Sequence, residues 1–169
     1  MFEPLKPFNR VFVTGPQRSG TRICARMIAH DTGHIFVDER DFHTDSLYHL
    51  SGLMARNLDE NLVVHCPALC RWVHMLGAHD SVAVVLMRRE TEDIIASQER
   101  IKWIWESVEL MRYEVAEGNI AELKYWYWDK WQKDKIVNPF EIEYESLAYH
   151  PLWVEERKDW GAHQMEVMG

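Results

Sequence analysis

The sequence predicts an α/β fold, a three-layer α/β/α sandwich on a mainly parallel sheet of about five strands. Three observations predict it. Short β-rich runs alternate with segments of helical periodicity along the chain. The run Val82 to Met87 is apolar at every position, as a central parallel strand buried on both faces should be. The first run stops at a glycine-containing turn that opens a helix, the start of a βαβ unit.

Each element has its own signal. Val11-Phe12-Val13 reads as a strand that ends before Gly15-Pro16. Thr21 to His30 carries Ile23, Met27 and Ile28 at helical spacing, and Gly33 is the stop. Ile35 to Val37 is a second, weaker strand. Ser46 to Asn57 places Leu47, Leu50, Leu53 and Met54 on one stripe, continued by Leu58. Leu62 to Val64 is a third strand. Pro67 suits the first turn of a helix through Leu69, Val73 and Leu76, closed by Gly77. Val82 to Met87 is the fourth strand. Glu92 to about Glu117 reads as a long helix, with a break allowed, before Gly118-Asn119. Ala121 to Lys133 is another helix, Phe140 to Tyr144 a last strand, and Pro151 opens a terminal helix and tail.

Length and composition narrow the function classes. The chain has 169 residues, 47% hydrophobic and 27% charged, which fits one globular domain over residues 1–169. Nineteen basic against 27 acidic side chains give a net charge of −8, which argues against nucleic acid as a partner. The longest apolar run is six residues, against about 20 for a membrane-spanning helix. Met1-Phe2-Glu3-Pro4 lacks the layout of a signal peptide. Three cysteines are too few for a disulfide scaffold. The expectation is a soluble cytoplasmic protein with free thiols. Five basic groups against one acid within residues 1–26 direct the search for an anion site to the N-terminal part.

That part contains Gly15-Pro16-Gln17-Arg18-Ser19-Gly20-Thr21-Arg22, between the first strand and its helix. Glycines let backbone amides turn inward, and a helix N-terminus favours an anion. Ser19 and Thr21 add hydroxyls; Arg18 and Arg22 add forked donors suited to phosphate. Gly15 and Gly20 have the separation found in the nucleoside-triphosphatase loop G-x-x-x-x-G-K-[ST]. Thr21 stands at the lysine position and Arg22 at the magnesium-holding hydroxyl. The turn therefore suits a phosphate without the parts for ordinary ATP hydrolysis.

Here the sequence resembles the sulfotransferases that use 3′-phosphoadenosine-5′-phosphosulfate (PAPS). Their first loop reads [KR]-S-G-[TS]-[TS], and Arg18-Ser19-Gly20-Thr21-Arg22 matches it at four positions. Their second element, R-N-P-x-D-x-x-x-S after a strand, is similar to Arg89-Glu90-Thr91-Glu92-Asp93-Ile94-Ile95-Ala96-Ser97, with arginine, aspartate and serine in register. Tyr144-Glu145-Ser146-Leu147, followed by Pro151, looks like their late Y-E-D-L strand end. The resemblance runs in family order over residues 11–151. It implies a P-loop-type α/β/α fold with PAPS as donor and 3′,5′-adenosine bisphosphate as product, and no metal. It implies that Gln17, Arg18, Ser19, Gly20, Thr21 and Arg22 hold the 5′-phosphosulfate. Arg89 and Ser97 would hold the 3′-phosphate.

Sulfuryl transfer needs positive donors at the leaving group and a base for the acceptor proton. The resemblance gives Arg18 the role of steadying the bridging oxygen, and an always-charged arginine does this electrostatically. His65, before Cys66-Pro67, matches the histidine and proline of the family's T-H-x-P strand end, and histidine titrates near neutral pH. Glu39, after the second strand, is the rival base. The acceptor is a small molecule, carbohydrate or protein. Family enzymes are usually longer, so little chain is left to enclose it; a second copy in a homodimer is one way to complete the pocket.

Other signals compete. A P-loop kinase lacks its lysine and magnesium hydroxyl here. A nucleotide-binding module without catalysis would leave the same phosphate motifs. Cys66, Cys70 and His74, four residues apart, form a weak zinc pattern, read instead as buried packing thiols. Tyr125 to Trp128 with Trp103, Trp105 and Trp131 reads as core packing, with an aromatic wall over a ligand or a dimer face as the functional counterpart. Arg157 and Lys158 are minor phosphate candidates in a solvated tail.

Overall fold

Strand β1 (Arg10–Thr14) lies at the centre of a five-stranded sheet with β2 (Ile35–Val37), β3 (Leu62–His65), β4 (Val82–Arg88) and β5 (Pro139–Glu143). The order is β2-β3-β1-β4-β5, and every pairing is parallel. The chain is described here by a computed structural model covering residues 1–55, 59–103, 106–115 and 118–153. The terminal helix expected from Pro151, Arg157, Lys158 and Trp105 fall wholly or mostly outside those residues.

Because successive strand residues point to opposite faces, the sheet splits its apolar side chains into two cores. Val11, Val13, Val63, Ala83, Val85 and Met87 pack on one face with Ile23, Met27 and Ile28 of helix α1 (Thr21–Thr32). Phe12, Val64, Val84 and Leu86 face the other way, against Leu50 of helix α2 (Leu47–Ala55), Trp128 and Ile136. Two cores on opposite faces of one parallel sheet make the three layers expected from sequence. Val82 to Met87 is buried at every position. Pro139, which cannot donate to a ladder, begins an edge strand.

Three segments refine or correct the sequence reading. The break allowed in the helical stretch from Glu92 is present: helix α3 (Thr91–Arg100) and helix α4 (Glu106–Arg112) are separate, with Lys102 in a left-handed conformation between them. Helix α5 (Ile120–Tyr127) is capped by the Asn119 side chain and continues as a π-helical turn, Trp128–Gln132. The expected helix after Pro67 is instead two 3-10 turns, Pro67–Leu69 and Val73–Met75. Gln132 Nε2 donates to the Cys70 carbonyl at 2.6 Å, occupying the acceptor that an α-helix would offer to His74. Among the described residues, no helix is long and apolar enough to cross a membrane.

Candidate functional site

All the expected site residues lie at the carboxyl edge of the sheet. The connection from β1 leads toward β2 and that from β4 toward β5, so a crevice opens between β1 and β4. Ligands of open α/β sheets bind at such a switch point. The local excess of basic residues narrows once placed. Arg10 sits at the far end of β1, where its guanidinium donates to the carbonyls of Asn9, Leu53 and Glu60. Of the five N-terminal basic groups, Arg18 and Arg22 lie in the turn.

The turn has three residues at positive φ: Gly15, Arg18 and Gly20. The Ser19 backbone N–H and hydroxyl both donate to the Pro16 carbonyl, at 3.1 and 2.7 Å, and close the loop on itself. Helix α1 then begins with no side-chain cap. Arg18 holds φ 75°, which is uncommon for a residue with a Cβ and is tolerated where surrounding structure imposes it. Its carbonyl accepts from Arg89 Nη1 at 2.8 Å, and its Nε donates to Ser97 Oγ at 2.8 Å. Arg100 Nη2 donates to the same hydroxyl at 3.1 Å. Gln98 Nε2 reaches the Gln17 carbonyl at 3.2 Å.

The two expected phosphate sites therefore form one continuous group of Arg18, Arg89, Ser97 and Arg100. Burial and the neighbouring charges of Arg100 and Arg89 push the Arg18 guanidinium down to about 10. Such crowding of cations favours a multivalent anion. Arg89, not Arg88, is the residue available. Arg88 is bound by Glu141 and Asp129, whereas Arg89 Nε is buried with no hydrogen-bond partner. Arg89 also lies 4.0 Å over the Tyr144 ring. Its backbone N–H donates to the Tyr125 hydroxyl, which donates to the Met87 carbonyl.

A second group lies across the turn, toward β3. His65 shares the parity of Val63 and so faces α1. Its Nε2 is 2.8 Å from Thr21 Oγ1, and its Nδ1 is 3.4 Å from Asp38 Oδ1. Thr21, His65 and Asp38 are 5%, 3% and 3% exposed. Asp38 also accepts from the Glu39 N–H at 2.7 Å and from Arg22 Nε at 3.0 Å. Burial opposes ionisation of Asp38, yet the His65 hydrogen bond and the Arg22 guanidinium hold its carboxyl well below the usual range. Glu39 is exposed, although its carboxylate lies near this pair. Both ring nitrogens of the buried His65 are thus engaged, Nε2 by Thr21 and Nδ1 by Asp38.

Sequence reasoning gave no site role to Asp38, Arg100 or Tyr144. Arg100 follows Ser97 by three residues, so both share a helix face, a legible signal. Tyr144 packs against the turn so tightly that a Cβ on Gly20 would meet its Cδ2 at 2.6 Å. Gly20→Ala, with φ 93° as well, is expected to cost about 1–3 kcal/mol and to displace Tyr144. A shift of the thermal midpoint measures this; an unchanged midpoint and unchanged anion affinity would contradict it.

The zinc pattern does not assemble. Burial pushes the Cys66 and Cys70 thiols up, and His74 pairs with Gln132. Among the described residues, His30–Asp31–His150 and Asp38–Glu39–His65 are the groups close enough to share an ion. In the first, His150 Nδ1 accepts from the Leu152 N–H, so Nε2 keeps its hydrogen and donates it to Asp31. In the second, the Arg22 cation already occupies Asp38. The aromatic run divides: Trp128 is fully buried and Tyr125 holds the Arg89 backbone, whereas Trp126 and Trp131 are exposed.

No protein-family model matches the chain, and no curated protein matches it significantly.

Proposed function

We propose that this chain is a cytoplasmic sulfotransferase that moves a sulfuryl group from PAPS to a hydroxyl or amine. The observation that carries the reading is the joined group of Arg18, Arg89, Arg100 and Ser97 beside the β1–α1 turn. It supplies guanidinium donors for two phosphate positions of one nucleotide. The resemblance of residues 18–22 and 89–97 to the sulfotransferase motifs points the same way. Arg22 paired with Asp38, where a kinase keeps its magnesium hydroxyl, favours this over phosphoryl transfer.

In the reaction the acceptor oxygen or nitrogen bonds to sulfur, and the bond from sulfur to the bridging oxygen breaks. The electron pair leaves on the phosphate of 3′,5′-adenosine bisphosphate, where Arg18 neutralises it. The acceptor proton passes to His65 Nε2 through the Thr21 hydroxyl. Asp38 holds the ring and stabilises the imidazolium. Three free, buried thiols agree with a reducing compartment.

The test is calorimetric titration with 3′,5′-adenosine bisphosphate, AMP and ATP with Mg²⁺. The bisphosphate is expected to bind at least tenfold tighter than AMP, about 1.4 kcal/mol. Arg89→Ala removes that preference and leaves AMP binding nearly unchanged. Equal affinity of the wild type for bisphosphate and AMP would overturn the reading, and preference for ATP with Mg²⁺ would favour a kinase.

A further inference from the structure

The buried row Thr21–His65–Asp38 has a consequence for how the turn receives its ligand. Arg22 and the Glu39 N–H both donate to Asp38, which is therefore a carboxylate. A carboxylate opposite His65 Nδ1 requires the ring hydrogen on Nδ1. Nε2 then carries a lone pair, and the Thr21 hydroxyl, 2.8 Å away, must give it its only hydrogen. In that state Thr21 shows the anion side only lone pairs, which repel an anion. A proton on Nε2 reverses the bond. Nε2–H donates to Thr21 Oγ1, and the hydroxyl hydrogen is free to turn to the anion.

We infer that anion binding in the β1–α1 turn takes up one proton, stored on His65 and signalled to the ligand by the direction of the Thr21 hydroxyl. This rests on the reading of the turn as an anion site. The groups facing His65 are consistent with it. Helix α1 brings Thr21 and Arg22, the turn after β2 brings Asp38 and Glu39, and the following Cys66 thiol is kept protonated by burial. Strand β1 brings only Arg10, at its far end. Asp38 offsets the Arg22 charge, and Glu39 adds a negative charge that favours an imidazolium. Donor binding therefore tightens as pH falls, while transfer, which needs neutral His65, slows.

The experiment uses the full chain and inorganic sulfate, whose charge is constant between about pH 5.5 and 8. Sulfate affinity is followed by NMR shifts of the turn amides, and the His65 tautomer by ¹⁵N shifts of its ring. The free protein is expected to show the Nδ1–H tautomer. Sulfate affinity should rise about tenfold per unit fall in pH across the histidine range, the linkage of one proton. Thr21→Val and His65→Gln should each flatten that slope, and Thr21→Ser should restore it. A residue that only supports the fold would change affinity equally at every pH. An Nε2–H tautomer in the free wild type, which needs no variant to fold, overturns the inference, as does an unchanged slope in Thr21→Val. Failure of sulfate to shift the turn amides at any pH overturns the anion-site reading beneath it.

Discussion

His65→Ala is expected to cut sulfuryl transfer by about 10²–10⁴ while the protein still binds 3′,5′-adenosine bisphosphate. The split follows from the geometry. His65 ends β3 and touches Thr21 and Asp38, whereas the guanidinium group lies on the β4 side of the turn. Removing the imidazole leaves Arg18, Arg89 and Arg100 in place. It also releases the Thr21 hydroxyl to donate to the anion, so the phosphate contacts survive. What disappears is the acceptor of the substrate proton. The measurement is transfer of labelled sulfuryl from PAPS to a panel of hydroxyl and amine acceptors, alongside calorimetry of the bisphosphate. Undiminished transfer by the variant moves the base to Glu39, the exposed neighbour of Asp38. A wild type that binds the bisphosphate yet transfers to no acceptor in the panel supports a binding module instead.

Glu109→Gln is expected to destabilise the fold by about 3–5 kcal/mol. Lys124 Nζ lies 3.0 Å from Glu109 Oε2, with the two side chains 1% and 8% exposed. The variant leaves a buried ammonium without its counter-charge. Replacing both, as Lys124→Met with Glu109→Leu, removes the desolvation cost of two ions along with their attraction. That double variant should fall near the wild type or above it. Urea midpoints of the three proteins decide. Equal losses in the single and double variants would show that packing volume, and not charge, carries the effect. The pair also bears on the site. It fixes α5 against α4, and α5 carries Tyr125, which holds the Arg89 backbone. Glu109→Gln is therefore expected to weaken bisphosphate binding more than AMP binding.

How much of this was legible in the sequence differs from residue to residue. The apolar run Val82–Met87 reads as a strand buried on both faces, and the short runs Val11–Val13 and Leu62–Val64 mark β1 and β3 by their own β-rich composition. His65 was legible because it ends a β-rich run and, with Pro67, matches the T-H-x-P strand end of the family the sequence resembles. Asp38 was not. Strand β2 has three residues, and beyond it alternation says nothing about which of two adjacent acids turns inward. Arg22, sixteen residues earlier, selects Asp38 by an ion pair that no local pattern records. The segment after Pro67 has a helical pattern, but Gln132, 62 residues on, takes the carbonyl that would have extended it. Tyr144 reads only as part of a late Y-E-D-L-like strand end, yet its ring lies under Arg89 and over Gly20. Local periodicity registers a residue's own element; contacts between distant elements leave no such mark.

The joining of Arg18 to Ser97 spans 79 residues, and that of Arg89 to Arg18 spans 71. On a growing polypeptide, the glycine turn emerges from the ribosome long before the arginines and serine that complete it. A nascent chain ending before residue 97 has half a receptor. On the proposed reading the nucleotide acts as a clasp, closing only on a chain in which β4 has already docked beside β1. Since it holds the folded form alone, a concentration of about 100 times its dissociation constant adds about 2.7 kcal/mol to stability. On that reading, cells rich in the nucleotide would hold more of this protein folded, and its abundance would follow the nucleotide supply.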